Sequence, residues 1–321
     1  MGVSVKELFE AKELREFSLE LMAGEKGLGK EITTSRIQKP GLLLTGLLEE
    51  LHSDRLQIFG AAEIGYLKSL TDEKLNESLG MLERSGVPAI IITRGIEPPE
   101  FLFSLCRGKA IPLLKTRYTS SILIEGITKY LEERLAPSIT LHGVLVDVLG
   151  IGIMMIGKSG IGKSECALDL VSRGYRLVSD DIIIVKRLPP SLLFGTSSDL
   201  IRYHMEIRGL GIVNIKDLYG ITAIREKKQM DIVVELVKWE PEGEYERLGF
   251  EENTYDILGV PLPYLRVPVT PGRSVATIVE VAARNQILKI MGHHSARNLE
   301  AHLDSAMKGL TRPEGIKKDK V

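Results

Sequence analysis

Eight residues constrain this chain more than any others. Gly157-Lys158-Ser159-Gly160-Ile161-Gly162-Lys163-Ser164 matches G-x-x-x-x-G-K-[ST] in full, a pattern that demands an apolar strand, a glycine-rich turn and a helix in that order. The glycines let backbone N–H groups converge on phosphate oxygens, Lys163 reaches the terminal phosphates, and the Ser164 hydroxyl suits a hard divalent cation such as Mg²⁺. Both flanks agree with this reading. Residues 151–156 form an apolar, strand-like run, and residues 165–173 read as a helix whose Cys166, Ala167, Leu170 and Val171 make one packing face, with Gly174 as its stop. The start of that helix adds its dipole to the anion site. The plain alternative, a glycine-rich hairpin that binds nothing, is disfavoured by the strand and the helix.

Composition removes other classes. In 321 residues, 42 Lys+Arg balance 43 Asp+Glu to a formal charge of −1, so nothing attracts the whole chain to nucleic acid. The longest apolar stretches, 143–156 with its interruptions and 89–92, fall short of the ~20 residues that a spanning helix needs. The first residues, Met1-Gly2-Val3-Ser4-Val5-Lys6-Glu7-Leu8, mix charge with apolar groups and offer no signal core. The expectation is a cytoplasmic protein with neither a membrane nor a nucleic-acid partner. Cys106 and Cys166 show no CxxC spacing and read as small buried residues, not as a disulfide or a thiolate metal site.

The fold class expected is α/β in two domains with a tail. Residues 1–134 read as a mixed α/β domain with a largely parallel sheet: a helical stripe over 5–21, a buried strand ending in the turn Thr93-Arg94-Gly95, a helix opened by Pro98 and Pro99, a short strand at 111–114 and a helix over 119–135. Residues 135–310 read as the catalytic domain, opening with antiparallel hairpins at 138–142, 144–148 and 150–156 that feed the loop. The charged stretch 240–258 and the proline-rich stretch 260–272 read as ordered only when something binds. A helix is expected over 275–291, a further one near 296–307, and a solvated tail over 311–321. His293 and His294 lack a third ligand at useful spacing and read as surface residues.

A phosphate loop alone names no reaction. The guanine-specifying N-K-x-D pattern is absent, and Asp180-Asp181 precedes the apolar run 182–185 instead of closing a strand as a Walker B acid does. A turn there can point one carboxylate at a metal and the other at an attacking hydroxyl, although a solvated turn has the same sequence. Glu206 and Arg208 alternate on a β-like segment and are expected to face one side.

In order and spacing these features resemble the bacterial HPr kinase/phosphorylase family. The resemblance is carried by Leu141-His142-Gly143, the phosphate loop with its trailing Glu165, Asp180-Asp181, and Met205-Glu206-Ile207-Arg208-Gly209-Leu210-Gly211-Ile212-Val213-Asn214. Tyr245-Glu246-Arg247-Leu248-Gly249 and Pro268-Val269-Thr270-Pro271-Gly272-Arg273 continue it across the second domain. It implies an ATP-dependent serine kinase acting on the phosphocarrier HPr, reversed by inorganic phosphate with release of pyrophosphate. It further implies a homohexamer with a P-loop core similar to phosphoenolpyruvate carboxykinase.

Carried over residue by residue, the resemblance assigns ATP and phosphate binding to Gly157 through Ser164 and Mg²⁺ to Ser164 and Glu206. The base falls to Asp181 with Asp180 in support, adjacent carboxylates that sequence does not separate. His142 orients the base, and Lys163 and Arg247 stabilise the transferring phosphoryl group. The segment Met205 to Asn214 serves both reactions, and Pro268 to Arg273 serves mainly dephosphorylation. Thr270 stands where many members carry a basic residue and Ser274 where Asn is usual, departures that bear on the phosphorylase balance, and Lys158 stands where many have Asp, which bears on whether the physiological target is sugar-uptake control. A P-loop kinase for a small molecule and an ATP-sensing oligomeric regulator are the alternatives. An intact base and metal set argues against the sensor.

Overall fold

The computed structural model describes residues 2–41, 52–240, 253–294 and 299, and the chain divides into two compact units, Met1–Ala136 and Pro137–Val321. In the first unit β1 (Val3–Ser4) enters α1 (Val5–Glu10) through a capping box: the Glu7 N–H donates to the Ser4 hydroxyl and the Ser4 N–H donates to the Glu7 carboxylate. The single helix expected over 5–21 does not form. Ala11 leaves the helical region with ψ of 127°, a 3-10 turn covers Lys12–Phe17, and β2 occupies Glu20–Ala23. Leu8, Leu14 and Phe17 are nonetheless all buried. Two short segments joined by a bend turn their apolar faces to one core, and Leu21 pairs with Leu114 in a sheet, so the stripe was real but the element was not continuous.

The remaining elements of this unit are β3 (Glu31–Ile32), β4 (Gln57–Phe59), α2 (Ala61–Ser69), α3 (Asp72–Ser85), β5 (Ile90–Ile92), α4 (Glu100–Gly108), β6 (Leu113–Lys115) and α5 (Ser120–Leu135). The main sheet has the order β2-β6-β5-β4, with β4, β5 and β6 parallel and β2 antiparallel at one edge. This is the largely parallel α/β arrangement expected. α5 follows Thr119 as its N-cap residue and buries Leu123, Ile127, Tyr130 and Leu131, the stripe visible in the sequence.

The second unit contains β7 (Ser138–His142), β8 (Val144–Val148), β9 (Ile151–Gly157), α6 (Lys163–Ser172), β10 (Arg176–Ser179), β11 (Ile182–Leu188), β12 (Leu192–Ser197), β13 (His204–Ile207), β14 (Gly211–Asn214), α7 (Ile215–Tyr219), β15 (Lys227–Gln229), β16 (Ile232–Lys238), β17 (Thr254–Ile257), β18 (Val260–Val269) and α8 (Val275–Ile290). A six-stranded sheet has the order β10-β8-β9-β16-β18-β17, and a four-stranded sheet the order β15-β12-β11-β7. β8 and β9 form the expected hairpin, but β7 pairs with β11 in the other sheet, because Gly143 lets the chain cross from one layer to the next against Met155 and Ile156.

The core follows the two-residue period of the strands. Val144, Val146, Ile151, Ile153, Met155 and Val234 pack against α6 and α8 through Cys166, Ala167, Leu170, Val279 and Ala283. Leu145, Met154 and Val233 face the other way and meet Ile183, Val185 and Leu193 of the four-stranded sheet. β9 is therefore covered on both faces, as its unbroken apolar run requires.

The stretch 260–272, expected to lack order of its own, is instead mostly the ten-residue strand β18. Its register explains how three prolines fit. β17 pairs with positions 260–263, and β16 with positions 264–269. Tyr264 donates its N–H to Asn253 on the β17 side, so alternation turns positions 261 and 263 toward β16 before β16 begins to pair. Position 268 turns toward the β17 side beyond the described pairing, and among the described residues no ladder bond is lost at any of the three. Residues 254–257 of the charged stretch likewise form a strand, whereas 241–252, including Arg247 and the whole Tyr245 to Gly249 match, lie outside the described residues. So do the expected tail and nearly all of the helix near 296–307. Among the described residues no helix is long and apolar enough to cross a membrane, and Cys106 and Cys166 are buried free thiols.

Candidate active site

β9, β16 and β18 run parallel, so their carboxyl ends share one edge of the six-stranded sheet, the edge where open α/β sheets bind ligands. Gly157, Gly160 and Gly162 take φ of 141°, 77° and 105°, values that an L side chain rarely adopts. A Cβ at Gly157 would also lie 2.4 Å from the Leu236 carbonyl oxygen. The N–H of Ile161 closes a turn on the Lys158 oxygen at 3.3 Å. α6 starts at Lys163 with Gly162 as its N-cap and no side chain capping it, which leaves its first N–H groups directed at the loop. Lys163 arcs back, its Nζ donating to the oxygens of Gly157 at 3.0 Å and Lys158 at 3.2 Å. The ammonium is thereby held across the loop.

The adjacent aspartates point apart. Asp180 is buried at 6% exposure; the Ser164 hydroxyl donates to its Oδ1 at 2.9 Å, and the Glu206 N–H donates to its Oδ2 at 3.4 Å. Burial pushes its carboxyl above the usual aspartate range against these two hydrogen bonds, and the neighbouring Asp181 adds to the push. Asp181 sits in the left-handed region with φ of 68°, which rotates its side chain out of the β10–β11 turn. Its carboxylate is 75% exposed and lies 3.7 Å from His142 Nδ1. A further tie runs through the backbone, where the Gly143 N–H donates to the Asp181 oxygen at 3.0 Å.

The segment Met205 to Asn214 is a β13–β14 hairpin turning through Arg208, Gly209 and Leu210. Met205 is buried in the main core and Ile207 and Val213 pack on it, while Leu210 and Ile212 are exposed. Glu206 lies on β13, but Arg208 lies past its end in the turn, not beside Glu206 on one strand face as expected. The turn carries its guanidinium to the phosphate loop: a Cβ at Gly160 would stand 2.4 Å from Arg208 Nη2. The positive φ favours glycine at position 160, and a side chain there would have to displace the Arg208 guanidinium. Asn214 ends the hairpin by accepting from the N–H groups of Lys216 and Asp217 at the start of α7.

Pro268 and Val269 finish β18 beside Val237 and Lys238, and Thr270, Pro271, Gly272 and Arg273 make the turn into α8 at the same sheet edge as the phosphate loop. The Arg273 N–H donates to the Thr270 oxygen at 3.2 Å, and Ser274 caps α8 by accepting from Thr277. Ser274 also accepts from Arg173 at the end of α6, so a capping hydroxyl does structural work at that position. The structure thus brings together His142, Gly157 through Ser164, Asp180, Asp181, Glu206 and Arg208. Sequence reading did not single out β16, whose signal is one carboxylate, Glu235, inside the apolar run 232–237.

The donors at Ser164 are hard oxygens, its own hydroxyl and the Asp180 carboxylate that it touches, and the backbone N–H of Glu206 meets the same carboxylate. Among the described residues no group of three or more His, Cys, Asp or Glu side chains forms a metal cage. Such a sparse oxygen set suits a cation that keeps waters and takes phosphate oxygens, which is the habit of Mg²⁺.

Residues 3–131 match the model described as HPr Serine kinase N terminus, and residues 133–303 match that of the HPr Serine kinase C-terminal domain. The HPr kinase/phosphorylase of Geobacter sulfurreducens is 51% identical over 302 residues, 94% of each chain. This chain belongs to the HPr kinase/phosphorylase family. Relatives of the same name from Leptospira biflexa and Brevibacillus brevis are 43% and 41% identical, covering 95% and 91% of this chain and 94% of each of theirs. The solved Hpr(Ser) kinase/phosphatase from Coxiella burnetii aligns with a TM-score of 0.46 at 30% identity, over 50% of this chain and 98% of that one.

Proposed function

We propose that the chain is an ATP-dependent protein-serine kinase that phosphorylates a seryl residue of HPr and reverses the reaction by phosphorolysis. The observation that carries the mechanism is the divergence of two neighbouring carboxylates, Asp180 buried on Ser164 and Asp181 exposed beside His142. One is placed to serve a cation and the loop, the other to meet a hydroxyl brought in from solvent.

In the forward direction Gly157 through Ser164 cradle the ATP phosphates and Lys163 leaves its loop carbonyls for the terminal phosphates. Ser164 and Glu206, with Asp180 behind them, would hold Mg²⁺, which when bound neutralises charge on the phosphates. Asp181 accepts the seryl proton as the seryl oxygen attacks the γ-phosphorus and the bond from that phosphorus to the β-phosphate oxygen breaks, releasing ADP; His142 orients the carboxylate. Arg208, already against Gly160, adds positive charge beside the loop. In reverse, an oxygen of inorganic phosphate attacks the phosphoseryl phosphorus, the bond to the seryl oxygen breaks, and protonated Asp181 returns its proton to that oxygen. Seryl protein and pyrophosphate are the products, and microscopic reversibility gives both directions one acid/base group. Pro268 through Arg273 and Arg247 belong to this reading as the dephosphorylation loop and a phosphoryl-stabilising residue.

Residues 135–310 carry the catalysis in this reading, with 1–134 as an accessory domain. A mass-resolved assay of the protein with Mg·ATP and HPr, then excess inorganic phosphate, tests it, with Asp181→Asn alongside. A single seryl phosphate gained, then lost with pyrophosphate release, and neither step in the variant, is the expected result. No transfer to HPr by the wild-type protein overturns the substrate. Light scattering at six chain masses is expected for a homohexamer, and a monomer removes that part.

A further inference from the structure

On the sheet face turned away from α6 and α8, a row of side chains leads from the phosphate loop across the parallel strands. Ile156, the last side chain before Gly157, is in register with Glu235 on β16, and Glu235 with Arg266 on β18; cross-strand partners share a face. The chain at Gly143 passes against this face, since a Cβ there would lie 3.4 Å from Ile156 Cγ2. His142 precedes Gly143 and Asp181 is bonded to it. Arg266 and Glu235 therefore belong to the side of the site where the attacking hydroxyl must enter.

Glu235 is the ion-pair partner of the arginine. Its Oε2 accepts from the Tyr264 hydroxyl and lies 3.3 Å from Arg266 Nε. Tyr264 is itself packed against Tyr255 with ring centroids 5.8 Å apart. With Nε on the carboxylate, the two Nη groups of Arg266 have no partner among the described residues, and the side chain is 53% exposed. A guanidinium paired to a carboxylate at Nε, with both Nη groups unpaired among the described residues, is suited to two phosphate oxygens. Two strand spacings put β18 about 10 Å from β9.

We infer that Arg266, oriented by Glu235, is a phosphate contact on the acceptor side of the site, engaging either the phosphoseryl group or free inorganic phosphate in the reverse reaction. The inference deepens the kinase/phosphorylase reading and rests on it. Calorimetric titration of the full chain with O-phosphoserine and, separately, with inorganic phosphate tests it without turnover, in the wild type and in Arg266→Gln, Arg266→Lys and Glu235→Gln. Loss of a charge-assisted pair of hydrogen bonds predicts affinity about tenfold weaker in Arg266→Gln. The lysine variant is expected to recover part of it through charge without the fork, and Glu235→Gln to fall between.

A loss confined to O-phosphoserine identifies the phosphoester as the source, a loss confined to inorganic phosphate identifies the free anion, and a loss of both supports the shared contact. Equal affinities in wild type and Arg266→Gln for both probes, or no binding of either by the wild type, overturn the inference. Should Arg266→Gln fail to fold in thermal melts, the other two variants decide by the same criteria. Transfer to HPr, assayed on the same samples, separates the two ideas: its absence removes the kinase reading while the titrations still judge Arg266.

Discussion

Each unit of this protein has a parallel strand that delivers the chain through glycine into a helix, and the two junctions are finished in opposite ways. At the end of β4, Gly60 precedes α2 and its N–H donates to the buried carboxylate of Glu63 at 2.8 Å. Thr93 after β5 bonds to the Phe59 oxygen and to the Ser120 hydroxyl, and Thr116 after β6 donates to the Phe17 oxygen at 2.6 Å. That edge satisfies itself. At the end of β9 no side chain caps α6, three glycines hold the backbone at positive φ, and the acid that touches Ser164 comes from another turn. α6 carries Glu165 at the position that Glu63 holds in α2, but no side chain bonds back to its start, so the first N–H groups stay open to an anion.

The largest effects should come from emptying the second junction of its chemistry. Lys163→Ala and Asp181→Asn are each expected to slow transfer to HPr by roughly 10²–10⁴-fold, with the melting temperature unchanged. For Asp181→Asn the loss should be equal in both directions, and a loss in one direction alone would refute the shared acid/base role. Gly160→Ala attacks the backbone of that junction. With φ of 77° and Arg208 Nη2 at 2.4 Å from the new Cβ, it is expected to cost about 1–2 kcal/mol of strain and to weaken ATP binding in a direct titration.

Breaking the first junction should do the reverse. Glu63→Ala strands the buried Gly60 N–H and is expected to lower stability by about 1–3 kcal/mol in urea melts while transfer to HPr, assayed below the melting range, stays at the wild-type rate. A matching fall in transfer would mean that the first unit is not separate from catalysis. The smallest effect concerns Asp180. Its carboxyl is raised by burial, so the folded chain holds this proton more tightly than the unfolded chain. Its contribution to stability is full below the ordinary aspartate pKa and is lost as pH rises through the raised value. Asp180→Asn should flatten the decline of the urea midpoint over that interval.

Much of this was legible because the physics is local. The phosphate loop needs glycines, a lysine and a hydroxyl at fixed spacing, and the stripes at Leu123, Ile127 and Leu131 and at Cys166, Ala167 and Leu170 need only the helical period. What was missed depended on partners distant in sequence. The stripe from Val5 to Leu21 gave no sign of the bend at Ala11, since both pieces face one core. The prolines of β18 looked like breaks until β16 and β17 were seen to share the strand between them. Arg208 looked like a strand residue until the hairpin turn carried it onto Gly160.

By itself the sequence determined that a phosphate loop stands between a buried strand and a helix, that Asp180 and Asp181 fall in one turn, and that the chain resembles a kinase family, all properties of residues close together along the chain. Only the tertiary structure decided which aspartate meets Ser164 and which meets His142, and that Glu235 and Arg266 line up with the strand before the loop. Those depend on a left-handed residue at 181 and on the register of β9, β16 and β18. Register is set by which faces the whole sheet must bury, and no local pattern of residues contains that information.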